Sequence, residues 1–352
     1  MQPYTPEFAG KNLKAQTESI VIGKTSYRAV ITEKPAYVLE KSPDGETRYP
    51  MIHVLGGKNI YYFLTALEKG HLQVLPASFD INRKQWFDTA ASSVRHFPNR
   101  PDEALHWKNR AYTFNTSCYG CHVSQLVRNY DIETDSYHTE WKEPGINCET
   151  CHGSAEDHVK TSLEAAAAGE EVKETKLKTV TQSRGFTAHQ VNTACSVCHA
   201  KMVALTPEFE PGEDFFQHYD LVTLEHLDFY PDGRDLGENY TYTAWKMSPC
   251  VKADQLDCLY CHTSSGRYRF KGDKANDACV PCHEDKGQDL PLHSHHTPET
   301  GVTECVQCHM PNTEFGHSLL GAKNVGVSLK CLESLGEPTV TNGKGLMAAK
   351  GT

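Results

Sequence analysis

Residues 258–309 read CLYCHTSSGRYRFKGDKANDACVPCHEDKGQDLPLHSHHTPETGVTECVQCH, and they state one short pattern three times: Cys258-Leu-Tyr-Cys261-His262, Cys279-Val-Pro-Cys282-His283 and Cys305-Val-Gln-Cys308-His309. Three more copies lie upstream, Cys118-Tyr-Gly-Cys121-His122, Cys148-Glu-Thr-Cys151-His152 and Cys195-Ser-Val-Cys198-His199, so twelve of the fourteen cysteines occupy six frames of one kind. C-x-x-C-H is the attachment signature of a c-type haem: two thiols add to two vinyl groups, and the adjacent imidazole becomes an axial ligand of the iron. At this composition one copy would arise by chance at roughly 10⁻⁴ per position, so six copies demand a common cause. Zinc would want paired C-x-x-C units without a histidine fixed after every pair, and a disulfide framework would not need the histidine. The pattern therefore predicts six haem c groups. Cys118, Cys121, Cys148, Cys151, Cys195, Cys198, Cys258, Cys261, Cys279, Cys282, Cys305 and Cys308 supply the thioethers, and His122, His152, His199, His262, His283 and His309 are the proximal ligands.

The chain has 352 residues, of which 38 % are hydrophobic, enough for two ordinary domains. Long apolar runs are nevertheless scarce where the motifs lie, so porphyrins are expected to form much of the core there. The formal charge of −10, made more negative by haem propionates, argues against a nucleic-acid partner. Redox partner proteins are expected instead, docking through small, partly basic patches and leaving quickly. No run approaches the roughly 18 apolar residues of a transmembrane helix. Met1–Gly10 has neither a basic n-region nor an apolar h-region. Haem c is attached after export, so a periplasmic or extracellular protein is expected, its leader not present in this sequence.

Residues 1–110 contain no cysteine and read differently. Ser19–Ile31, Ala36–Leu39, Met51–Leu55, Ile60–Ala66 and His71–Leu75 are short runs rich in β-branched and aromatic residues, separated by turn signals such as Ser42-Pro43-Asp44-Gly45 and Gly56-Gly57. They predict antiparallel hairpins and a small N-terminal β domain. A hexahaem domain over 111–320, mainly helical and irregular with little regular sheet, and a mobile Gly- and Lys-rich tail over 321–352 complete an α+β chain. Within the haem domain the segment from Ser154 to Gly169 predicts a helix, with a serine N-cap, acids in its first turn and an alanine block before glycine. Glu170–Lys178 reads as a solvated linker. The motifs recur at uneven intervals, so no fixed-period solenoid is expected. Cys250 and Cys331 lie outside every motif, and either a disulfide or two free thiols fits them.

The sixth position on each iron decides the chemistry: a second histidine makes a low-spin carrier, methionine raises the potential, and an open position admits small molecules. Nineteen histidines, six of them in the motifs, leave thirteen for that position. Several segments resemble a family of bacterial multihaem c-type cytochromes, some of which carry tetratricopeptide repeats. Leu105-His106-Trp107 leads through Asn115 to the first motif, Asn129-Tyr130-Asp131 follows, and Cys148-Glu-Thr-Cys151-His152-Gly153 is followed by His158. Towards the C-terminus, His293-Ser-His295-His296 precedes Cys305-Val-Gln-Cys308-His309-Met310-Pro311 and His317-Ser318. Leu72–Pro76 and Trp86-Phe87 also look like that family's N-terminal part. The resemblance implies His106, His158, His293, His296 and His317 as distal ligands. The chain departs from it at Phe229–Gly233 and Thr263–Ser265, where the family often has a histidine and this sequence has none. His218 or His226 could substitute. No tetratricopeptide repeats follow.

Three functions remain open on these residues. The first is a non-catalytic carrier passing electrons between redox partners through six mostly bis-histidine haems. The second is a multihaem oxidoreductase acting on a small nitrogen or sulfur compound at one open haem. The third is an electron-conducting subunit of a larger respiratory or extracellular assembly.

Overall fold

Ile60–Ala66 is the strand on which the N-terminal region is organised. In chain order the strands are β1 (Gln2–Pro3), β2 (Ile20–Ile22), β3 (Thr25–Val30), β4 (Tyr37–Ser42), β5 (Gly45–Pro50), β6 (His53–Gly56), β7 (Ile60–Ala66), β8 (Leu72–Val74), β9 (Ala77–Asp80) and β10 (Gln85–Asp88). They pair antiparallel in two sheets, β2-β3-β4-β5 and β1-β6-β7-β9-β10, with β8 alongside β7. The turn expected at Ser42–Gly45 joins β4 to β5: Ser42 pairs with Gly45, and Ser42 Oγ accepts from the Asp44 N–H at 3.2 Å. Between β1 and β2 lies helix α1 (Pro6–Asn12). Its Thr5 N-cap accepts from the Phe8 N–H at 3.1 Å, Pro6 opens the first turn, and Glu7 favours the positive end of the helix dipole.

The computed structural model describes residues 1–90, 96–97, 100–101, 105–172, 178–206, 209–226, 229, 240–252 and 255–310. The chain divides into two compact units, Met1–Lys176 and Leu177–Thr352, and the first two motifs share a unit with the sheets.

Strand periodicity sends neighbouring side chains to opposite faces. In β7, Tyr61 and Phe63 enter one core with Phe8, Tyr27, Val38, Val54, Leu75, Phe79 and Trp107, which both sheets and α1 share. Leu64 points the other way, into a second cluster with Leu55, Val74, Phe114 and Val123, against which Cys118 and Tyr119 of the first motif pack. The same alternation runs through Val54 and Leu55 in β6 and through Val74 and Leu75. An apolar run with both faces covered is therefore a platform: one face closes the sandwich and the other carries a haem motif.

The Tyr-, Asp- and Thr-rich stretch between the first two motifs, which its composition makes look like a loop, is instead paired: Val123–Val127 runs antiparallel to Glu140–Pro144 and Tyr130-Asp131 to Ser136-Tyr137. The helix expected after Ser154 spans Glu156–Ala168, with Ala155 and not the serine at its N-cap, and ends on Gly169 in the left-handed conformation that glycine tolerates. The second unit is mostly short helices, among them Ala188–His199, Phe215–His218, Tyr242–Met247, Pro249–Lys252, Leu290–Ser294 and Cys305–His309. One short hairpin, Met202–Ala204 with Tyr219–Leu221, accompanies them. The buried apolar cluster found there, Ala200, Phe215 and Tyr242, is small.

Candidate haem-attachment sites

Five of the six motifs lie on helical turns: Tyr119–His122, Cys148–His152, Ala188–His199, Cys258–Cys261 and Cys305–His309. The remaining one, Cys279–His283, makes a helix-like turn in which the His283 N–H donates to the Cys279 carbonyl at 3.0 Å. On a helical turn, residues i, i+3 and i+4 share a face, a spacing at which two thiols and an imidazole could hold the same group. The donor set fits haem c. Among the described residues no cluster of three His, Cys, Asp or Glu side chains is arranged to hold a metal ion by itself. None of the thirteen described cysteines is in a disulfide, Cys250 included. Cys331, its conceivable disulfide partner, lies outside the described residues.

The second, fourth and sixth motifs begin at a capped N-terminus. Asn147 Oδ1 accepts from the Thr150 N–H at 3.2 Å. Asp257 Oδ1 accepts from the Leu259 and Tyr260 N–H groups at 2.7 and 3.1 Å. Glu304 forms a capping box with Gln307. Such caps let a helix of a single turn exist, since helices this short do not persist on propensity alone.

His199, His262, His283 and His309 are exposed in the polypeptide, and His122 and His152 are half-buried. Burial above all pushes His122 down to about 4. Its ring is therefore neutral at pH 7, the state in which an imidazole ligates a metal.

The histidines outside the motifs fall into distinct settings. His293 follows from a helix that Asp289 caps, the Asp289 Oδ1 accepting from the Leu292 N–H at 3.0 Å. This brings the His293 ring to 5.9 Å, centroid to centroid, from the His309 ring of the sixth motif, with planes 4° from parallel. His296 is half-buried three residues on, and its N–H donates to Ser294 Oγ at 3.2 Å. His106 is exposed and its Nδ1 accepts from the Lys108 N–H at 3.2 Å. Its neighbour Trp107 is buried, and Gln73 Nε2 fixes the loop by donating to the Trp107 and Asn109 carbonyls at 2.6 and 3.0 Å. His158 is half-buried in the first turn of Glu156–Ala168. His218 has both ring nitrogens engaged, Nδ1 with Thr206 Oγ1 at 2.7 Å and Nε2 with Glu213 at 3.3 Å. His226 is exposed. His317, like Tyr230–Gly233, lies outside the described residues.

Asparagines stand three residues ahead of the first cysteine in alternate motifs: Asn115, which the resemblance includes, and Asn192 and Asn276, which it does not. The signal was present as N-x-[SA]-C-x-x-C-H in the first, third and fifth motifs, but it has no meaning until their hydrogen bonds are seen.

Residues 82–153 match the family described as cytochrome c554 and c-prime, a span that contains the first two motifs. With the other four motifs, this match supports a place among the multihaem c-type cytochromes and a role in haem-based electron transfer. A solved structure, the crystal structure of outer cell wall cytochrome OcwA, is similar at 17 % identity with a TM-score of 0.45, over 74 % of this chain and 65 % of that one. The chain thus spans just under two thirds of that protein's length. No curated protein matches. No helix among the described residues is long and apolar enough to cross a membrane.

Proposed function

We propose that the chain is a hexahaem cytochrome that carries electrons between redox partner proteins, its irons held mostly between two histidines. The observation that carries this reading is the His293–His309 pair. With a metal–imidazole bond of about 2 Å on each side, two rings on opposite faces of one iron have centroids roughly 6 Å apart. The observed 5.9 Å matches that separation. His293 is thus the distal partner of His309, and His106, His158, His296 and His317 serve other motifs in the same way. His218 or His226 supplies the remaining one, ligation by His218 requiring the loss of its contacts with Thr206 and Glu213.

The bound haems supply one-electron chemistry. The polypeptide's part is to fix them: each thiol adds across a vinyl double bond, sulfur to one carbon and hydrogen to the other, so no oxidant is needed. The histidines then hold the irons six-coordinate, which leaves no position for substrate. Attachment of haem c after export supports a periplasmic or extracellular site of action, alone or as a subunit of a larger electron-conducting assembly. The engaged ring of His218 favours one second reading, an oxidoreductase with one open haem that acts on a small nitrogen or sulfur compound.

Denatured intact mass should correspond to six haems, and oxidised spectra should lack a high-spin signal. Replacing His293 with Ala should leave the haem count at six and create one carbon-monoxide-binding iron, because both thioethers and His309 remain. Carbon monoxide binding by the unaltered protein would overturn the carrier reading in favour of the oxidoreductase. An H293A variant that stays fully low-spin would remove His293 from the ligand set.

A further inference from the structure

Asn192, Asn276 and Asn115 each grip a stretch of backbone in the same two-pronged way. Asn192 Oδ1 accepts from the Cys258 N–H at 2.9 Å while its Nδ2 donates to the Leu256 carbonyl at 3.3 Å. Asn276 Oδ1 accepts from the Cys305 N–H at 2.8 Å while its Nδ2 donates to the Thr303 carbonyl at 2.8 Å. In both cases the amide takes the N–H of one residue and the carbonyl two residues earlier, as a neighbouring peptide group would in a sheet. In both cases the gripped N–H belongs to the first cysteine of the next motif. Asn115 repeats the geometry on a different target, accepting from the Leu72 N–H at 2.7 Å and donating to the Gly70 carbonyl at 3.3 Å.

The consequence at the sulfur atoms is the same in both gripped pairs. The Cys258 thiol interacts with that of Cys195, and the Cys279 thiol with that of Cys305. Cys258 Sγ also lies 3.1 Å from Asn192 Oδ1. That sulfur contact changes character once the thiols become thioethers, which have no hydrogen to donate. The two backbone prongs survive the reaction, because they use only peptide groups.

We propose that the third and fourth motifs, and the fifth and sixth, form two-haem modules in which Asn192 and Asn276 are positioning residues, holding the paired haems by adjacent edges. This rests on the reading that all six motifs carry haem. Each clamp ties the helix of one motif to the leading backbone of the next, so the two attachment sulfurs, and the porphyrin edges bonded to them, keep a fixed spacing. Electron exchange between haems falls steeply with edge separation, so the clamps govern the rate within each module. At the first motif the same clamp holds the Gly70–Leu72 segment at the start of β8. This clamp fixes the motif to the sheet; its tie to the motif that follows is a separate one, from Ser124 Oγ to Thr150 Oγ1 at 2.9 Å.

The test uses the mature, haem-loaded protein and reads the bisignate Soret circular dichroism that closely spaced haems produce by exciton coupling. The N192A/N276A double variant should retain six haems by intact mass yet lose much of that couplet. N115A, which removes the clamp on the sheet, should keep it. N192D/N276D retains the acceptor for the cysteine N–H and loses the donor to the carbonyl, so it should lie between wild type and the alanine variant. It also provides the reading should the alanine variant fail to mature. An unchanged couplet in a six-haem double variant, alanine or aspartate, would overturn the proposal while leaving the haem assignment intact. Fewer than six haems in the wild type would instead overturn the assignment on which it rests.

Discussion

The two units solve the same problem with different materials. In Met1–Lys176 the polypeptide makes its own core: two sheets and a helix enclose Phe8, Val38, Val54, Phe63 and Phe79, and a second cluster fastens the first haem motif to the outer face of β6 and β7. In Leu177–Thr352 the described apolar cluster is Ala200, Phe215 and Tyr242 with Met202, Tyr219 and Leu221 around it. Helix caps and asparagine clamps hold its motifs. So little buried apolar side chain among the described residues would not by itself offset the entropy of ordering the backbone, and the expected haems would supply the difference. The contrast predicts that the sheet unit folds before it receives haem, whereas the helical unit folds around haem.

The largest expected effect follows from that contrast. Polypeptide produced without haem attachment should keep slow amide exchange across β3, β4, β6, β7 and β9, and lose protection across 188–310. Peptide-level hydrogen exchange measures both regions in one sample. Equal protection in both would mean that the helical unit has enough protein core of its own. Loss of protection in both would mean that the sheets, too, depend on haem.

A smaller effect sharpens the comparison from the other side. Phe63 is fully buried, stacked on Trp86 with ring centroids 5.3 Å apart and edge-on to Tyr4 at 6.1 Å. Phe63→Ala leaves a cavity in the sandwich and should cost about 3–5 kcal/mol. Urea unfolding followed by far-UV circular dichroism should show the strand signal melting earlier, while the haem spectrum of the protein stays unchanged. If that spectrum changed together with the strand signal, the two units would not be independent in stability.

Much of the molecule was legible in the chain because covalent chemistry and strand periodicity both leave local marks. Six C-x-x-C-H frames announce their cofactor, and runs such as Ile60–Ala66 announce strands in residue type and in their bounding turns. The β9–β10 hairpin was harder to read because polar side chains make it: the buried Asp80 accepts from the Asn82 and Arg83 N–H groups, both at 2.8 Å, and turns the chain back. The small sheet between the first two motifs was hidden for a similar reason. Its strand Glu140–Pro144 is mostly charged and exposed, so its hydrogen-bond partners define it and its apolar pattern does not. Distal histidines are the least legible class. A histidine that ligates and one held as His218 is, between Thr206 and Glu213, look alike until their neighbours in space are known. Asn192 and Asn276 make the same point, since their partners lie 66 and 29 residues away.

The smallest effect concerns His53, at the start of β6 between the sheet and the Trp141 ring, whose centroid lies 5.4 Å away edge-on. Its Nδ1 is buried without a hydrogen-bond partner, and burial lowers its pKa from the ordinary histidine value. The sign follows from which state takes up the proton. Above about pH 6.5 both folded and unfolded chains hold this ring neutral, and it adds no pH dependence. As the pH falls below that value, the unfolded chain binds a proton that the folded chain refuses, so stability is lost progressively on acidification. Wild-type protein should therefore lose more of its urea midpoint between about pH 7 and about pH 5 than a His53→Leu variant, in which this group cannot titrate. The strand signal in far-UV circular dichroism reports both midpoints. Parallel losses in the two proteins would mean that His53 takes up its proton equally well folded and unfolded, and that the cleft between β6 and Trp141 is open to water.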